Sequence, residues 1–157
     1  MGGTLSPAPG DSPPVFAISA LADAGGQRTP LERVQIVKGW LDDGGDTHEK
    51  VYEVAGARIA DTSVDTGTCQ TDGQGHGSLC TIWSDPDFDP AEPAFWYARV
   101  VEAPTCRWHT WLCNDAGVRC DEPSTITEGY EECCDTSVPQ VIRERAVTSA
   151  IWYAPPP

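Results

Sequence analysis

Five of the chain's cysteines, Cys106, Cys113, Cys120, Cys133 and Cys134, fall within Ala103–Arg145, a segment with little apolar periodicity. A connection of that length without regular structure is uncommon inside a compact domain and needs another source of order. Disulfides are the obvious source, because a bridge closing such a loop adds about 2–4 kcal/mol, a large fraction of a small domain's net stability. Upstream, Cys69 and Cys80 bracket TCQTDGQGHGSLC, and a local bridge between them is the pairing the spacing favours. Cys133 and Cys134 are adjacent, so a bond between them would strain the intervening peptide; each is expected to reach back to one of Cys106, Cys113 and Cys120. The total of 7 cysteines leaves one unpaired. Zinc is the rival reading. It lacks a C-x-x-C half-site, and the nearby His109 is flanked by Trp108 and Trp111. A redox role for Cys133-Cys134 lacks a basic neighbour in sequence to lower a thiol pKa.

The stretch leading into this lobe, Ala94–Trp108, reads AFWYARVVEAPTCRW. Phe95, Tyr97, Arg99 and Val101 alternate with Ala94, Trp96, Ala98 and Val100, which is the period of a strand. Large apolar groups on both faces predict a central strand buried on both sides rather than an edge. Pro104 stops it and Cys106 pins the loop beyond. Further strands are expected at Val15–Leu21, Leu31–Leu41, Lys50–Ala55, Leu79–Trp83 and Ala146–Tyr153, the last beside Ala94–Val101. The run Asp42, Asp43, Gly44, Gly45, Asp46 makes a hairpin turn between the second and third. Gly56–Ser78 is irregular, and at most a turn or two of helix is expected near Ala116 and in Ser124–Tyr130. The fold class is therefore all-β: an antiparallel β-sandwich, immunoglobulin-like in layout, with a long disulfide-rich loop insertion. Residues 1–14, with the loop around Gly25-Gly26 further on, are Gly- and Pro-rich; the former read as a linker or lead-in from a missing upstream domain. The sandwich spans 15–153 with its lobe at 103–145, and 154–157 is a tail.

Charge narrows the partners. A net charge of -14 is unsuited to a phosphate backbone, so no nucleic acid is expected, and no apolar run is long enough for membrane insertion. So many cysteines point to an oxidising compartment, periplasmic or secreted, yet MGGTLSPAPGDSPP is not a signal peptide. The economical expectation is that Met1 is not the natural start and that this is the C-terminal part of an exported protein.

No residue is assigned a catalytic, cofactor-binding or metal-binding role, and no cofactor is expected. Asp85, Asp87 and Asp89 alternate like a calcium loop, but its Gly and closing Glu are missing, and the plainer reading is Asp side chains capping backbone amides. Asp121, Glu122, Glu128, Glu131, Glu132 and Asp135 form an acidic lobe that reads as solvated surface. Arg107, Trp108 and Trp111 are candidates for an aromatic ligand surface, against the plainer reading that the tryptophans shield the lobe. His76, in GQGHGS, is a candidate because a Gly-rich loop lets backbone approach a ligand.

Four motifs in order, WSDPDFDP, FWYARV, TCRW and TSAIWY, resemble the C-terminal region of the bacterial family catalogued as domain of unknown function 3604. The resemblance covers nearly the whole chain, with Ala150 standing where the family more often has proline. It implies a longer, exported or envelope-associated parent, similar upstream to metal-dependent phosphoesterases of the polymerase-and-histidinol-phosphatase type. The histidines and acids of that metal centre would precede Met1, so none is carried onto this chain. The expected function is a non-catalytic C-terminal module packing against that catalytic domain, with self-association where loss of the domain bares an apolar face. The alternative is an independent carbohydrate- or cation-binding module using Trp108, Trp111 and the acidic lobe; a third is an enzyme in its own right.

Overall fold

The computed structural model describes residues 2–6, 12–25 and 29–156. Met1 and residues 7–11 of the expected lead-in, Gly26 of the expected Gly25-Gly26 loop, and Pro157 of the tail lie outside them. The strands are β1 (Gly3–Leu5), β2 (Val15–Leu21), β3 (Leu31–Leu41), β4 (Thr47–Gly56), β5 (Val64–Asp65), β6 (Gln70–Thr71), β7 (Ser78–Ser84), β8 (Ala94–Glu102), β9 (Thr105–Cys106), β10 (Val141–Ile142), β11 (Arg145–Val147) and β12 (Ile151–Tyr153). One α-helix, α1, covers Trp108–Asp115.

The main sheet runs β1-β12-β8-β3-β4, with β11 also pairing β8, and a separate two-stranded sheet joins β2 to β7. All pairs in these two sheets are antiparallel except β1 with β12. Phe16, Ile18 and Ala20 of β2, with Leu79 and Trp83 of β7, pack down on Val34, Ile36, Trp96 and Ala98 of the main sheet. The result is a β-sandwich whose second layer is much narrower than its first. β8 is central as its composition predicts, held by β3 on one side and by β11 and β12 on the other. Burial of its faces is unequal: Trp96 is 1% exposed, whereas Phe95 and Tyr97 are only half-buried.

Local chemistry explains the connections. Asp42 Oδ1 accepts from the Gly44 and Asp46 amides at 2.9 Å each, closing the β3–β4 turn where Gly45 has φ +82°. The expected final strand is two strands. At Thr148 the hydroxyl accepts the Ala98 amide (3.1 Å), and the register on β8 slips by one residue before β12.

The lobe is ordered by bridges and by the ends of its short elements. Cys113, on α1, bonds Cys133, and Cys120 bonds Cys134. The adjacent cysteines thus take separate upstream partners, as ring strain requires. The expected Cys69–Cys80 bridge is absent; Cys69 bonds Cys106, and Cys80 is a free, exposed thiol. Strand period gives the reason. Leu79 and Trp83 of β7 face the core, so Cys80 points outward opposite Ser19, whose Oγ lies 3.3 Å from its Sγ. Cys69 is instead buried beside β9. No helix among the described residues is long and apolar enough to cross a membrane.

Non-reducing peptide mapping is expected to recover the Cys69–Cys106, Cys113–Cys133 and Cys120–Cys134 peptides, with alkylation of the native chain confined to Cys80. Cys69→Ala with Cys106→Ala should lower unfolding free energy by about 2–5 kcal/mol in urea titrations.

Candidate functional site

Arg107 and the two tryptophans sit together at the start of α1, but they are not equivalent. Trp108 is 73% exposed and meets His109 edge-on, with ring centroids 6.0 Å apart. Trp111 is half-buried, and its indole N–H and the Arg107 Nε are buried without an acceptor. Cover for the lobe therefore describes Trp111, not Trp108. His76 is exposed and bound through its backbone: its amide and carbonyl pair with those of Leu31 at 2.8 Å each. A Cβ on Gly75 would stand 2.8 Å from Pro30 and 2.9 Å from the Leu31 carbonyl. What the Gly-rich loop approaches so closely is its own chain.

The Asp85–Asp89 loop does not form a common ligand site. Asp85 Oδ1 caps the Asp87 amide at 2.9 Å and Asp89 Oδ1 caps the Ala91 amide at 2.8 Å. The other Asp85 oxygen takes the Lys38 ammonium at 2.8 Å and the Trp96 indole N–H at 3.0 Å. Both partners of this ion pair are at most 2% exposed, and Lys38 also donates to the Asp87 carbonyl at 2.6 Å. Outside the core, the Asp87 carboxylate accepts from Lys50 (2.5 Å) and the Tyr52 hydroxyl (2.6 Å), and these two hydrogen bonds hold its pKa below the usual carboxylate range. Burial, then the bond to Asp87, pushes the Tyr52 phenol well above its ordinary value. Among the described residues no group of three or more His, Cys, Asp or Glu side chains is placed to hold a metal ion.

A second buried charge ties the lobe to the sheet. Glu32 is fully buried, and its Oε1 accepts from the Ile59 amide (2.7 Å) and Arg143 Nε (3.0 Å), while Oε2 faces the Arg33 guanidinium. Arg143 completes the clamp on the Ile59 carbonyl and the Asp61 carboxylate, 2.5 Å each.

The most exposed apolar surface of the main sheet is its outer face, opposite the β2–β7 layer. Here Val51, Tyr97, Phe95 and Trp152 lie in neighbouring strands around Val37, itself 1% exposed, with Val147 further along. Trp152 is 54% exposed, Val147 65% and Val51 40%. Phe95 lies across Gly39, where a Cβ would come within 2.4 Å of its ring, and its centroid is 5.0 Å from that of Trp152. A groove of about 470 Å³ runs between this pair and Leu41, Thr47 and Glu49. At its far end the face becomes polar: Arg99 donates to Gln35 (2.6 Å), and Gln35 to Glu53 (2.5 Å). Alternation in β8 marked Phe95 and Tyr97 as sharing a face, but no signal in one strand shows that the face lacks a cover.

A family model described as "Protein of unknown function (DUF3604)" matches residues 1–155. The chain belongs to the DUF3604 family. No curated protein and no solved structure matches it. The motifs behind the DUF3604 resemblance are largely core parts in this fold. Trp83, Asp85 and Phe88 of WSDPDFDP converge on Trp96 of FWYARV, and Tyr153 of TSAIWY meets Phe88 edge-on at 5.1 Å and donates to the Pro90 carbonyl at 2.8 Å.

Lys38→Met leaves the Asp85 carboxylate buried without its cation and is expected to cost about 3–5 kcal/mol in chemical unfolding. Adding Asp85→Asn should recover more than half of that loss, because a neutral side chain removes the uncompensated charge.

Proposed function

We propose that this chain is a non-catalytic β-sandwich module, immunoglobulin-like in layout, of a larger exported hydrolase-like protein, and that it packs on the catalytic domain through the outer face of its main sheet. The observation that carries the reading is the apolar, aromatic surface of Phe95, Tyr97 and Trp152 with Val51 and Val147, on the face opposite the β2–β7 layer, where Trp152 is 54% and Val147 65% exposed. Solvent-exposed aromatic clusters of this kind mark interaction surfaces. The three disulfides support export, since such bridges persist in oxidising compartments. The upstream partner is inferred from the family resemblance: a metal-dependent phosphoesterase-like domain whose ligands belong to that domain. In its absence the bare face favours self-association of the module. Trp152→Asp with Val147→Asp should cost the isolated chain only about 1 kcal/mol, chiefly through the lost Phe95–Trp152 ring contact. In the full-length polypeptide the same pair should lower the melting temperature by several degrees and raise acrylamide quenching of tryptophan fluorescence. Equal, small effects in both contexts would sink the proposal.

The second reading, a carbohydrate- or cation-binding module, is favoured by one observation: Trp108 is 73% exposed beside the acidic lobe. It predicts that a glycan array or an organic-cation panel binds the chain and that Trp108→Ala abolishes binding; no binding, or binding indifferent to Trp108, removes it.

A further inference from the structure

β2 and β7 are both edges of their two-stranded sheet, but they lie over different parts of the main sheet. β7 lies over β4 and β3, with Trp83 5.0 Å from Tyr52, and β2 lies beside it, with Phe16 5.6 Å from Trp96. Among the described residues β2 pairs only with β7, so its other edge turns unpaired N–H and C=O groups toward the unroofed part of the main sheet. Two cavities lie along that edge. One, of about 320 Å³, runs past Phe16–Ser19 and is lined beneath by Ile36, Trp96, Ala98 and Ile151. The other, of about 300 Å³, lies past Ser19–Leu21 over Val100 and Ala146, with Glu102, Glu144 and Arg145 at its end, two carboxylates against one guanidinium. Together they form a trough spanning Phe16 to Leu21, with a backbone edge as one wall, an apolar floor and a carboxylate end.

Each part of that trough selects for a feature of its occupant. An unpaired strand edge is satisfied by another extended backbone, which a small molecule or a helix cannot supply. An apolar floor on one side only calls for apolar side chains at alternate positions. The acid end calls for a cation. Burial, then repulsion from Glu144 and Asp23, raises the Glu102 pKa, and a lysine or arginine placed there relieves that repulsion. The chain's net charge of -14 favours a basic partner at longer range.

We infer that the free edge of β2 is a strand-addition site for an extended peptide segment that carries apolar residues at alternate positions and a lysine or arginine at the end beside Leu21. The added strand becomes the third of the β2–β7 sheet and roofs the inner face over β11 and β12. This site is separate from the outer face, and neither proposal needs the other.

The probe is a phage-displayed library of random nonapeptides panned on the intact chain, followed by a synthetic peptide of the enriched consensus. Enrichment of alternating β-branched or aromatic residues with one terminal basic residue is expected. The consensus peptide should slow amide exchange across Phe16–Leu21, and Glu144→Lys, at an exposed position, should weaken it about tenfold, roughly 1.4 kcal/mol. A peptide with glutamate in place of the basic residue should regain affinity for that variant. Failure to enrich such a pattern, protection confined to β1 or β4, or indifference to Glu144→Lys would overturn the assignment. So would concentration-dependent protection of β2 without peptide, which would make the occupant a second copy of this chain.

Discussion

The Lys38–Asp85 ion pair is the contact on which the sandwich depends. Lys38 lies on the inner face of β3 among Val34, Ile36 and Trp40, the last with its ring centroid 5.1 Å from the ammonium. An ammonium in that position is tolerable only with a carboxylate in contact and its other protons satisfied. Asp85 supplies the carboxylate, the Asp87 carbonyl takes another proton, and the Trp96 indole N–H and the Asp87 amide complete the bonds to Asp85. Because Asp85 comes directly after β7, the pair also fixes where the β2–β7 layer ends over the main sheet. The loop after it is then drawn down so that Phe88 closes the core against Trp96 and Tyr153.

The lobe is attached by different means. It has too little apolar surface to pack as a layer, so covalent bonds and buried charge take over. Cys69–Cys106 joins the irregular stretch after β4 to the start of the lobe, and Arg143 at its end clamps Glu32 in β3. The excursion therefore departs from β8 and returns beside it through β11 with both ends held. This anchoring leaves Trp108 projecting into solvent while Trp111 is drawn under.

Much of the β-structure was legible because strands announce themselves by period. The bounds of β2 and β3 coincide with their alternation, and the aromatic run Phe95–Tyr97 lies in the central strand. The last strand was read as continuous because Thr148 has ordinary strand propensity; only its bond to the Ala98 amide shows a slip of register. Lys38 interrupts the apolar face of β3, and nothing in a one-dimensional pattern says that an aspartate far along the chain will meet it. The candidate residues fared similarly: the exposure of Trp108 and the self-contact of the Gly75–His76 loop depend on what folds over them.

Local chemistry, then, decided what is local in this protein. Alternation produced the strands, the Asp42–Asp46 turn closed its hairpin, and peptide strain kept Cys133 and Cys134 from bonding each other. The family match is likewise carried by the chain itself. Tertiary structure decided what depends on which faces meet. It chose Cys106 over Cys80 as the partner of Cys69, because Cys80 alternates to the outside of β7. It also left the outer face of the main sheet and the edge of β2 open, because a two-stranded layer cannot cover a six-stranded sheet.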